Sequence, residues 1–562
     1  MKIDEKKLKW LFLLLVVISF GVNYYRLFDV KLDTNGDNYH YLLLAHSLAT
    51  GEGYYSTVGP EPVPHTHFPP GYPAFMSVFL RLFPNNILVL KLLNGLLLLV
   101  SLLLLFRIIR KTTGRYGLWY ALAACLLCTF HVLLLRWATI LMSEMLYTAI
   151  SMGIITLCLD LDLEQVWKKN GWHILRLVGL CLLVASAFFV RTMGISVILA
   201  AALAFFVLAA KALIRRKKEA QIAWWKPALT GVLVLVSLFV AMESWNLRNQ
   251  RVAPGTKNDY MTSFSIPSAE ELPNGKMAFW TDRIYRNLRS FVPYYIPHAV
   301  LDPGKAQMPK QNILVKDYSW TRGLIVVALL LIGLLSFKGL EWLLVSYFVI
   351  TFGVLCIYPP QFSDTRYFVP LIPLMLAAFV VGVGTVMSWL YRIIRHRETR
   401  WLPVAVIMAM TIILLPLYYS GQKTFRNLAA SKNFKDVPGM IIFQHYIDAC
   451  MASKNFSPKQ LAAVLKPEIY YLYSNYHHAI PLPRTGTPEE VIKFLEDNNV
   501  EVLILDTWFA SSYRVIVPTL QAYPDRFAWL WEEGDPKTPT AILGFLVSPD
   551  GQPEPAPASA EE

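Results

Sequence analysis

Residues 33–73 read DTNGDNYHYLLLAHSLATGEGYYSTVGPEPVPHTHFPPGYP. Acids, histidines, tyrosines, glycines and prolines gather here, in a chain otherwise built of Leu, Val and Ile. Before it lies LKWLFLLLVVISF and after it ILVLKLLNGLLLLVSLLLLF. An apolar run near twenty residues is the length of one membrane crossing. A polar stretch of this length between two such runs is expected to be a loop outside the bilayer, kept for a chemical use. Asp37 is its expected centre.

Outward from this stretch, the 562 residues are 55% hydrophobic and 16% charged. That is more apolar than a soluble domain. Length and apolarity mark about eleven spans: 10–26, 86–106, 116–136, 138–159, 174–190, 194–213, 227–246, 321–337, 341–358, 367–390 and 401–420. Arg191 interrupts the stretch 174–213. The net charge of +13 does not indicate nucleic acid, because Lys and Arg cluster beside apolar runs, as the positive-inside rule expects.

The opening MKIDEKKLKWLFLLLVVISF resembles a signal peptide, but no small-residue cleavage site follows. It is expected to be a retained first helix. Lys2, Lys6, Lys7, Lys9, Arg107, Arg110, Lys111, Arg115 and the run Arg215-Arg216-Lys217-Lys218 fall in alternate loops. The first polar loop, 27–85, holds only Lys31 and Arg81. The N-terminus is therefore expected in the cytoplasm, with loops 27–85 and 247–320 and the C-terminal part on the outer face. Within loop 247–320, TDRIYRNLRSFVPYYIP is basic and then aromatic, the pattern of a short helix in the headgroup region; a plain membrane-surface segment fits as well.

Beyond residue 420 charges of both signs return. Thr487-Pro488-Glu489-Glu490 is a helix start with a capping box, and the helix should run to about Asn498. VEVLILD, 500–506, reads as a buried strand; further strands are expected near 469–473 and 541–547. The expected organisation is a membrane domain over 1–420, an extracytoplasmic α/β domain over 421–548 and a disordered tail over 549–562. Of six cysteines, Cys125, Cys128, Cys158, Cys181 and Cys356 lie in apolar segments. Neither a disulfide framework nor a zinc pattern follows.

Several polar residues stand where apolar ones are expected. A carboxylate at Asp37, partly shielded by lipid and protein, can serve as a base; a solvated turn is the plain alternative. Glu144, read as lying inside the fourth span, is costly there and needs a partner or a wet cavity. Arg191, Arg248 with Asn249, and Arg366 with Tyr367 fall at one expected membrane face, where guanidinium groups match phosphate oxygens. His65 and His67 have no acid at metal-binding spacing; no metal set is assigned, and a divalent metal stays open as a cofactor. No phosphate-cradling Gly loop, nucleophile elbow or zinc protease motif is present.

GDNYHYLLLAHSLATGEGY around Asp37, HFPPGYP, SEMLYTA around Glu144, VRTMG around Arg191, WNLRN and RYFVPLIPLML occur in this order. The pattern resembles bacterial members of the GT-C glycosyltransferase superfamily, nearest to protein O-mannosyltransferases and lipid A aminoarabinose transferases. The resemblance covers roughly residues 1–420. It implies an α-helical polytopic membrane fold with an outer α/β domain, in the bacterial cytoplasmic membrane. It implies an inverting transfer from a polyprenyl-phosphate-linked sugar to a hydroxyl of a lipid, protein or glycan. Asp37 would be the base and Glu144 its support. Arg191, Arg248 and Arg366 would stabilise the departing phosphate. Tyr39, His67, Tyr72, Asn249 and Tyr367 would line the substrate. The aminoarabinose transferases carry a Lys near the end of the first loop where this chain has His65 and His67. The alternative reading is a lipid-linked glycan transporter, which usually shows repeated halves and broken helices near the midplane.

Overall fold

The computed structural model describes residues 4–34, 36–214, 222–255, 276–305, 319–359, 365–395, 401–455 and 460–546. The basic run 215–218, Asp364, much of 247–320 and the expected disordered tail 549–562 lie outside the described residues. The chain divides into two compact units. The first comprises 1–29, 66–72 and 85–429; the second comprises 30–65, 73–84 and 430–562.

The first unit is helical. Helices Glu5–Leu27, Ile87–Thr112, Gly171–Val190, Thr192–Ile214, Trp225–Val252, Thr365–Ile394 and Leu402–Gly421 are long and apolar enough to cross a membrane. With the bent pair Gly114–Phe130 and Val132–Ala138, broken at His131 by 62°, the described residues hold up to eight such spans rather than eleven. The other expected spans are real helices but short ones, Glu144–Asp160, Trp320–Leu335 and Glu341–Ile357. This is a multi-pass membrane protein.

Local chemistry explains the packing. Tyr24 Oη donates to Lys91 O at 2.6 Å, and Gly95 leaves room for the Tyr24 ring. Helices Trp320–Leu335 and Ile372–Arg395 meet through Gly333 and Gly382. A Cβ on either would overlap a carbonyl of the other helix, Ala378 O and Leu329 O respectively. Small residues let backbones approach this closely in membranes. At one end of the unit Asp160 pairs with Arg107 Nη2 at 2.5 Å and with Lys111 Nζ at 2.8 Å. The C-terminal ends of Ile87–Thr112 and Glu144–Asp160 therefore lie together, and Glu144 lies at the other end.

The expected headgroup helix over 281–297 is not a surface segment. Helix Lys276–Ser290 runs into a π-turn, Phe291–Tyr295, and then helix Ile296–Leu301. Residues Phe291–Val300 are buried. The aromatic half packs as core: Phe291 stands edge-on to Phe368 at 4.9 Å, and Tyr295 lies tilted against it at 4.5 Å.

The second unit carries a five-stranded sheet in the order β4-β3-β5-β7-β6. Its strands are β3 (Ala462–Val464), β4 (Ala479–Pro481), β5 (Val502–Leu505), β6 (Phe527–Asp535) and β7 (Thr538–Phe545), after a short hairpin of β1 (Tyr55–Ser56) and β2 (Val63–Pro64). β3 is parallel to β4 and β5, and β7 is antiparallel to β5 and β6. All four residues of β5 are buried, as a strand covered on both faces requires. The capping box at Thr487 forms, starting helix Pro488–Asp497. The strand expected near 469–473 is instead helix Pro467–Tyr473. Pro467 sits in its first turn, and a short apolar run does not distinguish helix from strand.

The stretch 33–73 is no open loop. It holds helix Gly36–Thr50, the β1–β2 hairpin and the start of helix Gly71–Leu82. Residues 36–58 are knitted into the second unit. Tyr39 faces Tyr473 at 6.4 Å, His46 stacks on Tyr476 at 5.4 Å, and Ala479 N donates to Val58 O at 2.9 Å. His40 Nε2 lies 3.3 Å from Glu468 Oε1.

Candidate active site

Helix Gly171–Val190 ends because Arg191 adopts an extended backbone, φ −159° and ψ 131°. A 3₁₀ turn, Thr192–Gly194, follows. Gly194 is required there, since a Cβ would overlap Ala187 O. The break is what aims the Arg191 side chain. Its Nη1 pairs with Glu144 Oε1 at 2.5 Å and donates to Ser143 Oγ at 3.3 Å. The Arg191 side chain is 11% exposed and that of Glu144 0%.

Glu144 is not inside its helix, as the sequence suggested, but begins it. Exposed N–H groups at a helix start favour a carboxylate. Among the described residues Glu144 Oε2 has no hydrogen-bond partner. A buried acceptor left unsatisfied is costly, and this one lies beside a guanidinium.

The Arg191 guanidinium lies over the ring of Tyr367 at 5.4 Å, and that of Arg366 lies over the same ring at 5.1 Å. Arg366 Nη2 donates to Tyr367 Oη at 3.3 Å, and Tyr367 Oη donates to Tyr358 Oη at 3.3 Å. Below them Tyr147 Oη donates to Met193 O, and Tyr347 Oη donates to Tyr147 Oη at 3.3 Å. Two guanidinium groups thus share one tyrosine ring, with one carboxylate against them. Guanidinium groups match the oxygens of an anion such as phosphate.

Sequence reasoning missed the residues that hold Tyr358. Asn287 Nδ2 donates to Cys356 O and Tyr358 O at 2.9 and 2.8 Å, and Arg283 Nη1 donates to Ile357 O at 3.4 Å. They cap the end of helix Glu341–Ile357. Their spacing, four residues on one helix face, was the available signal.

The other expected site residues have their own contacts. Arg248 lies over Trp245 at 5.2 Å and donates to Asn249 Oδ1 at 2.9 Å. Asn249 Nδ2 donates to Thr66 O at 3.3 Å, next to His67. His67 stands edge-on to Phe68 at 4.7 Å. Tyr39 and Tyr72 are fully buried. Tyr72 Oη accepts from Asn94 Nδ2 at 3.0 Å, and Asn94 Nδ2 also donates to Ile140 O. Asp37 lies half-buried in the first turn of helix Gly36–Thr50, within the second unit. Among the described residues no three His, Cys, Asp or Glu side chains group to hold a metal.

No family model and no curated protein matches the sequence. Solved structures do. ArnT from Cupriavidus metallidurans, bound to undecaprenyl phosphate, aligns over 96% of this chain and 99% of its own at 14% identity, TM-score 0.57. The chain has a GT-C fold. The archaeal oligosaccharyltransferase AglB from Archaeoglobus fulgidus, in complex with an inhibitory peptide and a dolichol-phosphate, shares it. That alignment covers 96% of this chain and 74% of AglB at 12% identity, TM-score 0.55. Within the GT-C fold of this chain, the Glu144–Arg191–Tyr367–Arg366 cluster stands at helix ends of the membrane unit.

Proposed function

We propose that this protein is a glycosyltransferase moving a hexose or pentose from a polyprenyl-phosphate donor to an acceptor hydroxyl at the outer membrane face. The acceptor is a lipid, protein or glycan. The observation that carries the reading is the pair of guanidinium groups of Arg191 and Arg366 on Tyr367, in a membrane unit of GT-C fold. Support comes also from the lipid phosphates bound to ArnT and AglB.

The acceptor oxygen attacks the anomeric carbon as Asp37 takes its proton. The bond from that carbon to the phosphate oxygen breaks, and the lipid phosphate leaves with both electrons. Attack opposite the leaving group inverts the anomeric centre. Arg191, Arg248 and Arg366 stabilise the charge that grows on the phosphate, where fixed donors act most strongly. Glu144 sets Arg191 in place.

Asp37→Asn tests the base. A positioned base contributes about 10² to 10⁴-fold. The variant should insert and fold normally and lose transfer from a polyprenyl-phosphate sugar by at least 10²-fold in a purified assay. Normal turnover would sink the assignment. Movement of the lipid-linked sugar across sealed vesicles without any acceptor would favour a transporter instead.

A further inference from the structure

Helices Glu5–Leu27 and Ile87–Thr112 touch at the Tyr24–Gly95 contact. Toward their other ends they part around a groove of about 520 Å³. Leu13, Leu14, Val17, Leu103 and Phe106 form its apolar wall, and Lys9 and Arg110 stand at its rim. Lys6 and Glu5 line a smaller hollow that shares Lys9 and Arg110. This is the end of the first unit remote from Glu144, because Arg107 and Lys111 pair there with Asp160. Arg107 and Lys111 line the groove as well, but that pairing engages both, and Lys9 and Arg110 are the other two cations facing it. Lys9 Nζ lies 4.8 Å over the Trp10 ring.

The depth of this end in a bilayer can be read from its aromatics. Trp10, Trp172, Trp225, Trp342 and Trp401 are all exposed. Contacts tie them to one end: Arg176, which lies over Trp172, donates from Nη1 to Asp160 O; Trp225 meets Trp167; Trp401 and Phe12 both meet Trp119; and Lys338 N donates to Thr112 O while Lys211 lies over Trp342. Exposed tryptophans at one level mark the membrane–water interface. The apolar wall therefore faces acyl chains and the basic rim faces headgroups.

We infer that this groove binds an anionic glycerophospholipid, one acyl chain against the Leu and Phe wall and the phosphate at Lys9 and Arg110. The chemistry matches the occupant at both ends: basic pockets between membrane helices take anionic headgroups, and the wall takes hydrocarbon. A partner helix is too large, since three turns about 10 Å across fill roughly 1,200 Å³. The site is separate from the proposed active site and does not depend on it.

The test uses the full-length protein in a neutral detergent, delipidated and titrated with phosphatidylglycerol, phosphatidylcholine or inorganic phosphate. Native mass spectrometry counts retained lipid, and thermal unfolding reports stabilisation. One phosphatidylglycerol should bind and raise the melting temperature; phosphatidylcholine and phosphate should do neither. Lys9→Gln with Arg110→Gln should weaken phosphatidylglycerol roughly thirtyfold, about fivefold for each cation. Leu103→Trp, which fills the groove without changing charge, should expel the lipid as well, and it decides the matter if the double variant does not fold. Equal retention of phosphatidylcholine, an equal shift from phosphate alone, undiminished binding by the variants, or a second copy of the chain crosslinked over Trp10 would each overturn the inference.

Discussion

Glu144 and Arg191 form a buried ion pair whose worth lies in what breaking it exposes. Removing one partner of such a pair costs about 3–5 kcal/mol. Arg191→Ala should destabilise the protein by about that much in chemical unfolding, and adding Glu144→Gln should restore much of the loss. Glu144→Gln alone should fold and lower turnover substantially; unchanged rates would return Glu144 to a packing role. A second buried acid, Asp506, follows β5. Its Oδ1 accepts from Phe509 N at 2.9 Å, and burial pushes its carboxyl up to about 6. The folded protein therefore holds this proton more tightly than the unfolded chain, where the group titrates near 4. Its contribution to stability is full below about pH 4, falls as pH rises to about 6, and is gone above, roughly 3 kcal/mol in all. Asp506→Asn should flatten that slope in melting temperatures scanned from pH 4 to 8.

At the scale of elements, close backbone approach between Trp320–Leu335 and Ile372–Arg395 depends on Gly333 and Gly382. Gly382→Leu must push the helices apart against carbonyl oxygens rather than flexible side-chain tips. Overpacking typically costs about 1–3 kcal/mol, and a rigid backbone neighbour puts this case at the upper end. A melting temperature equal to the parent's would show that the helices do not pack through this seam. Element identity followed local chemistry where that chemistry was strong. Thr487 with Glu490 and the all-apolar β5 behaved as their residues dictate. Residues 469–473 did not, because five apolar and aromatic residues carry no period and Pro467 outweighed their strand propensity. The break at Arg191 was visible as a charge in an apolar run. Its use, turning a guanidinium toward Glu144, was not.

For the whole molecule, we propose from the basic loops that the N-terminus lies on the cytoplasmic side, since charge asymmetry generally sets orientation. Cysteines introduced at Lys7 and Lys168 should be labelled only from the cytoplasmic side, and one at Lys493 only from outside. The native cysteines are buried or half-buried and should give little background. Labelling of Lys493→Cys from the cytoplasm would reverse the topology and with it the proposed site of transfer. Hydropathy, charge placement and capping residues determined by themselves that the chain is a polytopic helical protein with an α/β part after residue 420. These properties are sums over neighbours along the chain, so they can be read without coordinates. Only the tertiary structure decided that residues 36–58 build into the second unit, that Phe291–Val300 is core, and that Arg191 and Arg366 share the ring of Tyr367. Those pairings join segments far apart along the chain, and packing geometry, which no local pattern encodes, selects among the many partners each side chain could meet.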